Sequence, residues 1–179
     1  MSYLNTPVLL FSGGIFMGKV IAIVGKPGSR KTWYAKSLMK HSNAVLLSND
    51  EVLHDLFSDF EGKDRFKRVE LINNYLLKKT CEIVRSNIDV ILDLGFWKEK
   101  ERDELKNYFV SRSIIIQFHY LDVDDYTWYK HIEKRNNQIA NKTDDGTSFF
   151  LDQNIIDYSR KEFEVPDKKD IEVWLRIIS

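Results

Sequence analysis

The 179-residue sequence predicts an α/β fold built on a parallel sheet. Three observations carry that expectation. Short β-branched runs alternate with amphipathic stretches along the chain. The first such run feeds into a phosphate-binding loop with a helical pattern behind it. Polar residues able to do chemistry fall just after the predicted strands, where parallel sheets hold their ligands.

Residues 1–17 read as an extension, partly disordered or an edge strand, ahead of one domain at 18–179. Val8–Phe11 and Ile15–Met17 are apolar but short. They are broken by Gly13-Gly14 and have no basic segment ahead, so no signal peptide is expected. Strand one, 19–24, is the run Val20–Val24, the pattern of a parallel strand buried on both faces. Helix one, 31–41, has Trp33, Ala35, Leu38 and Met39 at helical spacing. Val45–Ser48 is strand two, and 50–59 a short helix. Residues 65–86 form a long helix with Phe66, Val69, Ile72, Leu76, Ile83 and Val84 on one side. Val90-Ile91-Leu92 is strand three, closed by Asp93. A charged helix covers 98–110, and Ile114–Leu121 is strand four. Residues 124–138 are helical and rich in Lys, Arg and His. Asn141–Ser148 is polar and contains glycine, hence a mobile loop. Phe149–Phe163 reads as helix and Ile171–Ile178 as the last strand. Right-handed crossovers would gather the phosphate loop, Asp50 and Asp93 on one edge of the sheet.

Gly25, Lys31 and Thr32 stand at the spacing of G-x-x-x-x-G-K-[ST], with Arg30 where the second glycine belongs. The pattern carries a mechanism. Backbone N–H groups of the loop and of the following helix converge on phosphate oxygens. Gly25, Lys26, Pro27, Gly28, Ser29, Arg30, Lys31, Thr32 and Trp33 form the candidate nucleotide-binding segment. Lys31 would reach the β- and γ-phosphates of ATP, and the Thr32 hydroxyl would ligate Mg²⁺. The alternative is a Gly-Pro turn before an amphipathic helix that contains Lys-Thr. Arg30 either strains the loop and crowds the nucleotide, or points outward and adds a positive charge near the phosphates.

Asp93, at the end of Val-Ile-Leu-Asp, could hold Mg²⁺ through water or position an attacking hydroxyl; otherwise it caps the turn before the helix at 98. Asp50 is either the N-cap of its helix or a general base for an acceptor hydroxyl. His131 and Arg135, four apart, share a helix face beside the row of Lys130 and Lys134. That face is either solvated or a cationic surface over the phosphates. Phe96 and Trp97 line an acceptor pocket or plug the core.

Lys and Arg total 27, as do Asp and Glu, so no global field favours nucleic acid or an anionic membrane. No segment approaches the ~20 apolar residues of a membrane helix. The single Cys81 permits no disulfide within the chain and reads as a small buried hydrophobe, which fits a reducing cytoplasm. The four histidines show no zinc-ligand spacing with it. Asn141-Lys142-Thr143-Asp144 spells a guanine-reading motif, but no apolar strand precedes it. The same residues form a glycosylation sequon, which has no meaning in a cytoplasmic protein.

Three blocks together carry a resemblance. They are Gly-Lys-Pro-Gly-Ser-Arg-Lys-Thr at 25–32, Leu-Leu-Ser-Asn-Asp-Glu-Val at 46–52, and Val-Ile-Leu-Asp-Leu-Gly-Phe-Trp-Lys-Glu-Lys-Glu-Arg-Asp at 90–103. They resemble the small P-loop kinases grouped as an AAA-type kinase family, similar to the kinase domain of polynucleotide kinase, to zeta toxins and to chloramphenicol phosphotransferase. Tyr-Leu-Asp-Val at 120–123, Lys-Arg-Asn at 134–136 and Phe-Phe-x-Asp at 149–152 resemble the later blocks of the same family. The resemblance covers roughly residues 19–170 in order. It implies a three-layer P-loop NTPase fold with sheet order 2-3-1-4-5 and a helical lid, ATP as donor, Asp50 as candidate base and Arg135 as a lid arginine. Three positions depart from the family pattern. Arg30 replaces the loop glycine. Leu53 stands where relatives often place an arginine that grips the acceptor's phosphate. His131 stands where relatives often carry a first lid arginine.

The expected function is therefore transfer of the γ-phosphoryl of ATP to a hydroxyl of a small molecule. Lys31, Asp50 and Arg135 would do the chemistry, and Thr32 and Asp93 would hold Mg²⁺. A nucleotide-binding module that Arg30 has deprived of turnover is one alternative. A nucleic-acid end kinase is the other, against which the neutral charge and Leu53 argue.

Overall fold

The computed structural model describes residues 17–57, 64–143 and 149–178. Within them the chain runs β1 (Val20–Val24), α1 (Lys31–Lys40), β2 (Ala44–Ser48), α2 (Asn49–Leu56), α3 (Arg65–Arg85) and β3 (Asp89–Asp93). It continues α4 (Glu99–Val110), β4 (Ile116–Val123), α5 (Asp125–Ala140), α6 (Gln153–Glu162), a 3₁₀ turn at Lys168–Asp170 and β5 (Val173–Ile177). The five strands form one parallel sheet in the order β2-β3-β1-β4-β5. No described helix is long and apolar enough to cross a membrane.

The strand pattern explains the layers. β1 lies at the centre, and all five of its residues are buried. Successive side chains point to opposite faces. Val20, Ala22 and Val24 join Val90 and Leu92 of β3 and Phe118 and Tyr120 of β4 beneath α2, α3 and α4. Ile21 and Ile23 join Ile91 and Leu121 beneath α1. A third apolar cluster, Val123, Trp128, Ile132, Leu151 and Ile156, ties α5 and α6 to the end of β4. Each fully buried Val, Leu or Ile contributes about 1.5–3 kcal/mol of transfer free energy, so the three clusters hold the sheet between its helices.

Several boundaries differ from the sequence expectation, each for a local reason. α6 starts at Gln153, not Phe149, because the Asp152 carboxylate caps it by accepting from the Ile155 amide at 2.8 Å. β4 starts two residues late because Ile114 closes the end of α4, its amide donating to the Phe109 carbonyl at 3.0 Å. Phe66 lies off the buried side of α3 and is 81% exposed. Trp33 and Met39 are exposed on α1, which buries Ala35. Nearly all of the predicted N-terminal extension, the end of the 50–59 helix and most of the 141–148 loop lie outside the described residues.

In this strand order the chain leaves β1 toward one side and β3 toward the other. The crevice between their carboxyl ends is where open parallel sheets place ligands. The loop after β1 and Asp93 at the end of β3 meet there.

Candidate functional site

Residues 25–30 join β1 to α1 and turn sharply enough to need unusual backbone. Gly28 has φ 78°, and a Cβ on it would come within 2.9 Å of the Ile132 side chain. A Cβ on Gly25 would fall 2.5 Å from Ser29 Oγ. Arg30, the N-cap of α1, is left-handed at φ 69° and ψ 26° and makes no side-chain capping bond. Glycine adopts that conformation freely, whereas an L-side chain resists it. The loop thus keeps the backbone shape that the second motif glycine ordinarily provides, with strain at one exposed residue.

Contacts from α5 hold the loop. Trp128 is fully buried, and its indole N–H donates to the Pro27 carbonyl at 2.6 Å. Lys26 Nζ lies 4.4 Å from the Trp128 ring centroid and 3.1 Å from Asp125 Oδ1. Arg160 on α6 reaches the other Asp125 oxygen at 3.1 Å. The α5 and α6 helices therefore clamp the outer wall of the loop.

Inside the loop, Lys31 Nζ donates to the Lys26 carbonyl at 3.0 Å. Burial lowers the Lys31 pKa below the ordinary lysine value, while Asp93 and Asp50 oppose the shift and Arg135 adds to it. Thr32 Oγ1 donates to Asp93 Oδ2 at 2.8 Å across 61 residues of sequence. Asp93 is buried, which pushes its carboxyl above the usual range against the pull of Lys31 and the Thr32 hydroxyl. Lys31, Thr32, Asp50, Asp93 and Arg135, picked out by sequence, thus form one electrostatic neighbourhood. The alternative, an Asp93 that caps the turn before the helix at 98, is not what its bond to Thr32 serves: that bond ties β3 to the phosphate-loop helix.

Asp50 is not the N-cap of α2 either. Ser48 is, its hydroxyl accepting from the Glu51 amide at 3.4 Å. That leaves the Asp50 carboxylate on the first turn, half-exposed, 3.5 Å from Arg65 Nη2. Asn49 beside it is buried and donates to Asn73 Oδ1 at 2.9 Å, which anchors α2 to α3.

On α5, Arg135 is partly buried rather than part of a solvated face. Its Nε donates to the Phe149 carbonyl at 3.0 Å, and its guanidinium carbon lies 4.8 Å from the Phe149 ring centroid. His131 is half-buried, where sequence suggested exposure. Burial first, and then Arg30, hold it below the ordinary histidine value, while the Gly28 backbone opposes. The shift favours the neutral imidazole, so this position lacks the permanent charge of an arginine. Phe96 and Trp97 pack against the main core, and buried Arg102 donates to both of their carbonyls at 3.2 and 3.0 Å.

Two buried side-chain polar atoms among the described residues lack a hydrogen-bond partner: Ser29 Oγ and His131 Nδ1. An unsatisfied buried group costs about 1–3 kcal/mol, and both lie at the loop. The donor set also suits Mg²⁺. A hydroxyl and a carboxylate 2.8 Å apart are hard oxygen donors, and Mg²⁺ is commonly held by one or two carboxylates plus substrate phosphates. No group of three or more His, Cys, Asp or Glu able to hold a metal occurs among the described residues, so an all-protein metal cage has no support.

Comparison with known proteins agrees with this geometry. The family model described as an AAA domain (AAA_33) matches residues 20–166. No curated protein matches the chain by sequence. Among solved structures, a sugar kinase from Janibacter sp. HTCC2649 superposes with TM-score 0.60 at 15% identity, covering 89% of this chain and 85% of that one. The Mycobacterium tuberculosis APS kinase CysC, solved with AMPPNP and APS, gives TM-score 0.55 at 16% identity, with 89% and 88% covered. A chain of the Pnkp1/Rnl/Hen1 RNA repair complex gives 0.58 at 17%, covering 83% of this chain and 47% of that one. The shared architecture is the three-layer P-loop kinase fold, with the sheet order that the sequence resemblance implied.

Proposed function

The chain belongs to the AAA domain family, and on that footing we propose that it is an ATP-dependent phosphotransferase that moves the γ-phosphoryl group to a hydroxyl of a small molecule. The observation that carries this reading is the bond from Thr32 to Asp93, formed beside partly buried Lys31 at the carboxyl ends of β1 and β3. An acid-hydroxyl pair next to a partly buried ammonium at the start of a helix suits phosphate and its counter-ion.

The roles follow from placement. Lys31 exchanges the Lys26 carbonyl for phosphate oxygens, and the N-terminal amides of α1 face the same charge. Thr32 and Asp93 would hold Mg²⁺, which supplies neutralisation of charge on the β- and γ-phosphates. Asp50 accepts the proton of the acceptor hydroxyl. The acceptor oxygen bonds to the γ-phosphorus, the bond from that phosphorus to the β,γ-bridging oxygen breaks, and ADP leaves. Arg135 places its charge beside the transferring group from α5. Little covalent chemistry falls to the protein; positioning and fixed charge supply most of the rate.

Replacing Lys31 with alanine tests the assignment. Acceptor-dependent ADP release should fall by about 10²–10³, the usual cost of one preorganised contact to the transition state. Turnover equal to the parent's would refute the loop assignment.

The left-handed Arg30 favours a second reading, a nucleotide-binding module without turnover. Calorimetric binding of AMPPNP with Mg²⁺ but no ADP release with any hydroxyl compound would establish it. A nucleic-acid end kinase would instead show a salt-dependent gel shift, which the zero net charge argues against.

A further inference from the structure

The face of α4 that carries Arg102 opens on a hollow that shares no residue with the phosphate loop. We propose that this hollow is a second ligand site. It takes a small zwitterion of the α-amino acid class, its carboxylate on Arg102 and its ammonium among the acids of the rim. The proposal does not depend on the kinase reading.

Glu99, Arg102, Asp103 and Lys106 recur at i, i+3, i+4 and i+7, so they share one face of α4. Across the hollow stand Asp167 and Asp170, on the segment that leads into β5, and buried Phe118 of β4 joins the lining. The space measures about 480 Å³, counting the part open to solvent, which is the scale of a small-molecule site.

Arg102 is only 6% exposed, yet its guanidinium is not used up. Nη1 donates to the carbonyls of Phe96 and Trp97 at 3.2 and 3.0 Å. Nε and Nη2 bond to no described residue. Neither is sealed in the core, since the buried side-chain polar atoms without a partner among the described residues are Ser29 Oγ and His131 Nδ1. These two nitrogens share one edge of the planar fork, the edge that a carboxylate takes with two parallel hydrogen bonds. What is left open of Arg102 is that edge, where the residue lines the hollow. Burial lowers its pKa below the ordinary arginine value, against the pull of Glu164 and then Glu99. An arginine desolvated this far is ordinarily paired, and no carboxylate among the described residues forms an ion pair with it.

The rim decides the other half of the ligand. Asp167 meets Lys169 at 3.0 Å and Asp170 meets Lys106 at 3.8 Å. Glu99 and Asp103 are exposed and pair with no cation among the described residues. A plain anion on its way to Arg102 therefore approaches four carboxylates, which repel it. A ligand with an ammonium beside its carboxylate is neutral overall and brings its cation where Glu99 and Asp103 lack one. Val165 and Pro166 give its side chain apolar ground.

The test titrates the full, isotope-labelled chain and follows its amide resonances. L-Alanine is matched with its two halves, propionate and ethylamine. L-Leucine is matched with 4-methylpentanoate and isopentylamine. At least one amino acid should bind tenfold or more tighter than either of its halves, the weight of one further charge-assisted contact. Its shifts should centre on Arg102, Asp103, Phe118 and Asp170. The double variant Glu99→Gln, Asp103→Asn should weaken the amino acid by threefold or more while the bare carboxylate binds no worse than before. Arg102→Lys keeps the charge but loses the fork, and should weaken amino acid and carboxylate alike. A melting curve accompanies it, because Arg102 also holds the Phe96 and Trp97 carbonyls, and should it melt early the rim variant alone decides. No saturable shift with any amino acid, shifts centred elsewhere, halves binding as well as the whole, or a rim variant that treats amino acid and carboxylate alike would each overturn the proposal.

Discussion

Replacing Arg30 by glycine and, separately, by alanine separates the backbone of the loop from its charge. Arg30 sits at φ 69° and ψ 26°, exposed, with no capping bond. Holding an L-residue there costs about 1–2 kcal/mol. Glycine removes that cost but adds backbone freedom to the unfolded chain, worth about 0.5–1 kcal/mol. Arg30→Gly should therefore be neutral or stabilising by up to about 1.5 kcal/mol, which is a rise of a few degrees in Tm for a domain of this size. Arg30→Ala keeps the left-handed strain and loses the cation, so its stability should stay near the parent's. Affinity for AMPPNP with Mg²⁺ should be unchanged or better in the glycine variant. Both variants should also raise the pKa of His131, since Arg30 is one of the charges holding it down. Scanning calorimetry, titration calorimetry and histidine proton resonances read the three effects. A tenfold loss of affinity in both variants would make Arg30 a phosphate ligand; a drop of several degrees in Arg30→Gly would mean that the left-handed conformation carries no strain.

Three further outcomes follow from the same contacts. Asp50→Asn should keep ATP binding and stability, because Ser48 and not Asp50 caps α2, yet lose about 10²–10⁴ in turnover; unchanged turnover would leave Asp50 without a catalytic role. Trp128→Phe keeps the ring in the third core cluster but strips the donor from the buried Pro27 carbonyl, so stability should fall by about 1–3 kcal/mol and nucleotide affinity with it; an unchanged melting point would show that the bond at 2.6 Å does not hold the loop. His119 is buried, shares a hydrogen bond of 2.8 Å between its Nδ1 and the Tyr34 hydroxyl, and has a pKa lowered to about 4 by burial and then Lys19. The unfolded chain binds its proton near pH 6.5, so stability present above that value should fall between pH 6.5 and 4, by up to about 3 kcal/mol, and denaturant midpoints for His119→Gln should be flatter across that window.

The legible part of this protein is the part coded locally. Five strands and their parallel arrangement follow from short β-branched runs, and the loop from a motif whose residues lie within eight positions. Asp93 was legible because it closes a strand, and only the fold could say that its partner is Thr32. The cap of α2, left open at Asp50 between N-cap and base, was legible in principle: Ser48-Asn49-Asp50-Glu51 carries the S-x-x-E pattern of a helix start, which frees Asp50 from the cap. The contacts that shape the loop were not legible. Trp128 meets Pro27 across 101 residues, and nothing in the amphipathic pattern of α5 distinguishes a core tryptophan from one whose N–H holds a carbonyl.

Arg65 marks the boundary between these cases. As a letter it is one more cation in a chain whose charges cancel, and the family pattern points to position 53 alone. Placed at the start of α3, the same letter comes within 3.5 Å of Asp50 on α2, a closeness that only the fold shows. Leu53 is fully buried in the core beneath α2, so the position where relatives often carry an arginine faces the core here. A position-by-position reading against relatives compares side chains at equal places in the chain. Side chains meet in space from different helices, as Arg65 of α3 and Asp50 of α2 do.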